Sequence, residues 1–103
     1  MQSGTADFPN WLRESNNHLV VVAFVADWAG TAEILKGFLG IIAAELPGVT
    51  IKWVDVDQNT QLTVEMGVNQ IPSVVLLRNQ EVVDHIDGLI PRRKLASRIE
   101  RFL

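Results

Sequence analysis

The stretch Leu19-Val20-Val21-Val22-Ala23-Phe24-Val25-Ala26-Asp27-Trp28-Ala29-Gly30-Thr31-Ala32 decides the fold. It opens on an unbroken apolar run rich in β-branched residues, Leu19 to Ala26. A strand with both faces apolar belongs in the middle of a sheet covered on both sides. The run is far too short to cross a bilayer. Trp28 to Ala32 then lead into a long helical pattern, with Ile34, Leu35, Phe38, Leu39, Ile41, Ile42 and Leu46 at i, i+3, i+4 and i+7 spacing. Pro47-Gly48 end that helix with paired breakers. Gly37 and Gly40 lie inside it, where each costs about 1 kcal/mol relative to alanine. They are expected to mark a bend or close packing.

Toward the N-terminus, Asp7 offers an N-cap for a short helix over residues 8–15, with Phe8, Trp11 and Leu12 at helical spacing. Residues 1–6 read as loose or as a short edge strand. Downstream, residues 49–56 read as a second strand of the buried type. Residues 59–67 read as a short helix carrying Leu62 and Met66. Residues 74–77 form a third strand, Asn79-Gln80 a hairpin turn, and residues 81–86 its antiparallel partner. Pro91 suits the first turn of a last helix, whose stripe is Leu95, Ile99 and Phe102. The order α, β, long α, β, α, β, β, α demands a parallel crossover followed by a hairpin. The expected fold class is α/β: a mixed central β-sheet flanked by helices on both faces, in a single domain over residues 1–103.

The chain has 103 residues, 48% of them hydrophobic, and no cysteine. It is long enough to bury a core without disulfides or metals. The missing cysteines remove disulfide staples, thiolate nucleophiles and thiolate metal ligands together. A formal net charge of −3 argues against a dedicated nucleic-acid binder. The polar, uncharged start Met1-Gln2-Ser3-Gly4 lacks a secretory pattern, so the expectation is a cytoplasmic protein with no membrane partner, free-standing or a domain of a larger chain.

Several local signatures together resemble the thioredoxin family. Trp28-Ala29-Gly30-Thr31-Ala32 matches the family's Trp-Cys-Gly-Pro-Cys position by position, at the strand-to-helix junction. Val54-Asp55-Val56-Asp57-Gln58-Asn59 resembles its strand ending in an Asp-Gln-Asn turn. Gly67-Val68-Asn69-Gln70-Ile71-Pro72-Ser73 resembles the segment with a cis-proline facing the active site, and Asp87-Gly88 matches the glycine after the last strand. The resemblance runs from about Phe8 onward and implies the thioredoxin fold. The chain is also similar to the N-terminal thioredoxin-like domain of multidomain monothiol glutaredoxins, which has Trp-Ala in place of Trp-Cys and a late Asp-Gly. That domain keeps the later cysteine, where this chain has Ala32.

The departures bear on function. Thiol–disulfide exchange needs a low-pKa thiolate at a helix N-terminus and a second thiol to resolve the mixed disulfide. Both positions are alanine here, Ala29 and Ala32. The resemblance also places the family's buried Asp at Ala23, the Lys that tunes it at Trp53, the proline between the cysteines at Thr31 and the mid-helix proline at Gly37. With no proton to move, a buried carboxylate is pure desolvation cost, and its loss is neutral or stabilising. Natural loss of the redox site explains this pattern better than engineered removal of two cysteines, which leaves the relay in place.

Three features survive loss of the thiols. The helix starting near Thr31 keeps free N–H groups and a positive dipole end. The resemblance implies that Ile71-Pro72 presents a strand-like backbone edge to an extended peptide. Trp28, Ile71, Pro72, Gly88 and Leu89 are expected to cluster as an exposed apolar patch, with Ala29, Gly30 and Thr31 completing the groove. The leading expectation is a redox-inactive module that binds a peptide or protein there, without enzyme activity, cofactor or metal. The alternatives are a thioredoxin-family disulfide oxidoreductase in cysteine-free form, which the native codons at positions 29 and 32 decide, and a holdase-like chaperone acting through the same patch.

The other candidates read as structure. Residues 55–66 lack the glycine and glutamate of a calcium loop, with Thr60 and Met66 in those places, so they read as a strand end and helix cap. His18 and His85 stand apart with no ligand cluster around them. Arg92, Arg93, Lys94, Arg98 and Arg101 make the last helix basic. They read as a solvated face suited to the C-terminal dipole end, or as a docking surface for an acidic partner. Thr31 has no general base in its motif and reads as an N-cap.

Overall fold

The computed structural model describes residues 6–103. The elements are α1 (Phe8–Glu14), β1 (Leu19–Val25), α2 (Thr31–Glu45), β2 (Val49–Asp55), α3 (Thr60–Glu65), β3 (Ser73–Arg78), β4 (Glu81–Asp87) and α4 (Arg92–Glu100). Asp7 caps α1, its carboxylate accepting the Asn10 N–H at 3.4 Å. The expected loose or edge-strand segment lies outside the described residues except for Ala6, whose N–H donates to Asn59 Oδ1 at 2.9 Å.

The sheet order is β2-β1-β3-β4, with β1 parallel to β2 and antiparallel to β3, and β3 antiparallel to β4. β1 is buried along its whole length. Strand alternation splits its side chains between two cores. Leu19, Val21, Ala23 and Val25 pack with Leu35, Leu39 and Ile42 of α2 and Leu95 and Ile99 of α4. Val20, Val22 and Phe24 pack on the other face with Trp11 of α1, with Leu62 of α3 and Met66 just beyond it packed against them. The mixed sheet with helices on both faces is therefore the architecture the element order required.

Three local expectations change. β2 is not a fully buried strand: among its residues only Val54 is buried, and Trp53 is 38% exposed. β2 is the edge of the described sheet, and its alternating Thr50-Ile51-Lys52 pattern suits a half-covered position. Gly37 and Gly40 do not serve close packing, since a Cβ on either would meet nothing within 4 Å. The basic residues of the last helix are only partly matched to its dipole. Arg98 stands in the last turn, but Arg92, Arg93 and Lys94 occupy the first turn, where no acidic residue offsets them. A cation there is unfavourable by about 0.3–1 kcal/mol, the reverse of its effect at the C-terminus.

The β3–β4 turn has positive φ at both Asn79 (54°) and Gln80 (64°), matching the right-handed twist of a two-residue hairpin. The turn is fastened to the end of α1. Buried Ser15 accepts the Gln80 N–H on its Oγ at 2.8 Å, and its carbonyl accepts from Asn79 N at 2.8 Å and from the Arg78 guanidinium at 2.9 Å. No helix is long and apolar enough to cross a membrane among the described residues.

Candidate functional site

The register sets the site. Phe24 pairs with Ser73 and Ser73 with Asp87, so the end of β1, the start of β3 and the end of β4 lie side by side. The connections that meet at these strand ends are Ala26 to Gly30, Gln70 to Pro72, and Gly88 to Ile90.

The first is a tight turn. The Ala29 N–H donates to Ala26 O at 3.1 Å and the Ala32 N–H to Ala29 O at 3.2 Å. Gly30, not Thr31, holds the N-cap position, already with helical φ and ψ of −62° and −16°. Thr31 is the first helical residue, and its buried hydroxyl has no hydrogen-bond partner among the described residues. The expected capping role of Thr31 therefore does not hold. Ala29 packs toward the α1/α3 side of the sheet and Ala32 toward the α2/α4 side.

Trp28 projects from this turn with 70% of its surface exposed. Its indole Nε1 donates to Asp57 Oδ2 at 2.8 Å. Asp57 is itself fixed, its N–H donating to Asp55 Oδ1 at 2.9 Å, while Asn59 Nδ2 donates to Asp55 O at 3.0 Å. Residues 55–59 are thus the end of β2 and the turn into α3. Asn59 stands at the N-cap of α3 without a side-chain capping bond, because its amide oxygen goes to Ala6 instead. No group of three or more His, Asp or Glu is placed to hold a metal among the described residues.

The second connection carries the cis Ile71-Pro72 bond. Pro72 is buried rather than exposed, and its carbonyl accepts the Gly88 N–H at 2.8 Å. Ser73, also buried, donates its hydroxyl to Gln70 O at 2.7 Å. Gly88 has φ of +76°, and a Cβ there would come within 3.1 Å of Gln70 Oε1. Ile71 is half-buried and packs, like Ala29, against the core on the α1/α3 side, and Leu89, like Ala32, against the core on the α2/α4 side. Among the described residues, the backbone N–H and C=O of Ile71 make no hydrogen bond. What the surface offers is therefore one exposed indole with half-buried neighbours and a short unpaired backbone edge. Asp57, Gln70 and Ser73 were missing from the site as read in sequence. Asp57 stood within a quoted motif, but its tie to Trp28 is long-range.

The site holds no thiol nucleophile. The chain has no cysteine, and the Thr31 hydroxyl is buried away from the surface. Ala23 is fully buried and lies opposite Trp53 in the β1–β2 register, so the positions the resemblance assigned to a proton relay hold a methyl group and an indole.

A mixed sheet with a cis-proline segment beside the N-terminus of a long helix defines a thioredoxin-type site, here built without sulfur. A family model described as Thioredoxin matches residues 2–101, and the chain belongs to the thioredoxin family. It is 35% identical over 83 residues to a thioredoxin of Chlamydia muridarum, covering 81% of each chain. It superposes on the X-ray structure of Fasciola hepatica thioredoxin with a TM-score of 0.85 at 30% identity, covering 94% of this chain and 92% of that one. A mutant thioredoxin from Halobacterium salinarum gives 0.82 at 28% identity, covering 95% of this chain and 85% of that one. The fold is that of thioredoxin, and the family's catalytic cysteines are absent.

Proposed function

We propose that this chain is a redox-silent thioredoxin-family module that binds an extended segment of a partner protein across the former active site. The observation that carries the reading is Trp28, largely exposed yet held in one orientation by Asp57. An exposed indole at a fixed angle supplies apolar contact area with little ordering left to do on binding. The unpaired backbone of Ile71 supports it, since an extended chain laid there gains main-chain hydrogen bonds as an added strand does. Ala29, Gly30, Thr31, Gly88 and Leu89 then form the walls. Small Ala29 and Gly30 let a partner backbone approach, and no thiol captures it. The burial of Pro72 reduces the apolar surface open to an unfolded chain, which favours selective peptide docking over general capture.

A peptide array probed with the whole chain tests this. Selected peptides are expected to lose binding to the Trp28→Ala and Ile71→Asp variants. Equal binding by parent and both variants would sink the reading.

A further inference from the structure

We propose that the groove between α4 and Ile90 is a second docking surface, and that it takes an acidic segment of a partner protein bearing an apolar side chain. The groove, of about 510 Å³, is lined by Ile90, Arg93, Lys94, Ser97 and Arg98. It does not rest on the reading of the Trp28 site.

Residues 91–103 hold Arg92, Arg93, Lys94, Arg98 and Arg101 against Glu100 alone, a balance of +4. With a chain total of −3, residues 1–90 carry −7. Five of the nine Lys and Arg residues stand in this one segment of an otherwise acidic molecule.

Arg98 is committed to Asp84, its Nε and Nη2 each donating to a carboxylate oxygen at 2.7 Å. Arg93 and Lys94 are exposed and make no ion pair among the described residues. They stand with Arg92 in the first turn of α4, the dipole end that disfavours cations. Nothing among the described residues rewards that placement. A carboxylate-bearing partner does, by neutralising both the side chains and the helix end.

Half-buried Ile90 and the alkyl stems of Arg93 and Lys94 give the groove apolar walls beneath a charged rim. That suits an amphipathic acidic peptide better than a polynucleotide or an anionic membrane. Either of those extends well past one helix and meets the repulsion of the remaining acidic surface.

The test uses the whole chain and a fluorescein-labelled peptide of alternating Glu and Leu, read by fluorescence anisotropy. Saturable binding is expected. It should weaken about tenfold for the Arg93→Glu/Lys94→Glu double variant, and also with Gln for Glu or Ser for Leu in the peptide. Lys36→Glu, on α2, should bind like the parent. Amide chemical-shift changes in the unsubstituted chain should centre on Ile90, Arg93 and Ser97, a readout independent of any variant's folding. No binding, equal binding by the double variant, or shifts centred elsewhere would overturn the proposal. So would a single-stranded DNA oligonucleotide or phosphatidylserine vesicles binding as tightly at the same residues.

Discussion

The indole of Trp28 and the carboxylate of Asp57 are joined at 2.8 Å although they stand on separate connections, one after β1 and one after β2. The bond holds a solvent-facing ring against the turn that starts α3. Removing the acceptor by Asp57→Ala leaves the core untouched, so unfolding should shift by no more than about 1 kcal/mol in urea titration. The indole N–H resonance of Trp28 should move toward its solvent-exposed position. A larger stability loss would mean that Asp57 supports the β2–α3 turn rather than the ring.

Ala23 and Trp53 make a second test. Ala23 is wholly enclosed, and its cross-strand partner offers no cation. Ala23→Asp buries an unpaired carboxyl and should cost at least about 3 kcal/mol at pH 7. Burial raises the folded-state pKa of such a group, so the penalty should grow as pH rises from the unfolded value toward the folded one, and shrink in acid. Adding Trp53→Lys should recover part of the loss. Urea unfolding across the pH range reads both effects, and a pH-independent penalty would show that volume rather than charge is responsible.

Gly37 and Gly40 lie on the exposed side of α2 with open space beyond them. Replacing either by alanine should stabilise the chain by about 0.5–1 kcal/mol, because only backbone freedom in the unfolded state is lost. Thermal unfolding of each variant and of the pair should show increments that nearly add.

Arg98 holds the Asp84 carboxyl below its ordinary value of 3.8, chiefly by hydrogen bonding, while burial pushes the other way. The Asp84 side chain is 16% exposed and that of Arg98 35%. A carboxyl whose folded pKa is depressed lends stability that is complete above its unfolded value and disappears as pH falls through the folded value. The contribution is therefore complete at neutrality and is lost progressively as pH falls below about 3.8. Arg98→Met should cost about 1 kcal/mol at pH 7 and less at pH 2 to 3, as acid and urea titrations would show.

The fold is legible in the sequence because its strongest signals are local. The unbroken apolar run of β1, the periodicity of α2 and the breakers at Pro47-Gly48 each state an element without reference to the rest of the chain. The burial of β2 is harder to read, because its apolar residues draw more notice than the alternating Thr50 and Lys52, which mark an edge. Thr31 is the polar residue that suits a cap, yet the helix begins one residue earlier than that role requires, and Gly30 takes the place with no side chain. At the site, residue types and order are readable from the Trp28–Ala32 and Gln70–Ser73 segments. Their exposure is not. Pro72 is buried, and its carbonyl is bonded to the Gly88 N–H, a contact between distant segments. The Trp28–Asp57 and Asp84–Arg98 pairs are likewise products of strand register, which a one-dimensional pattern does not carry.

The bonds from Ser15 to Arg78, Asn79 and Gln80 span sequence separations of 63 to 65 residues. They change how the molecule bears tension. A short helix at the margin of a sheet ordinarily unravels first under a pulling force. Here load entering through α1 passes at Ser15 into the tip of the β3–β4 hairpin, and from there into the middle of the sheet. Unravelling α1 as far as Ser15 therefore also breaks the bonds that hold Arg78, Asn79 and Gln80 at the hairpin tip.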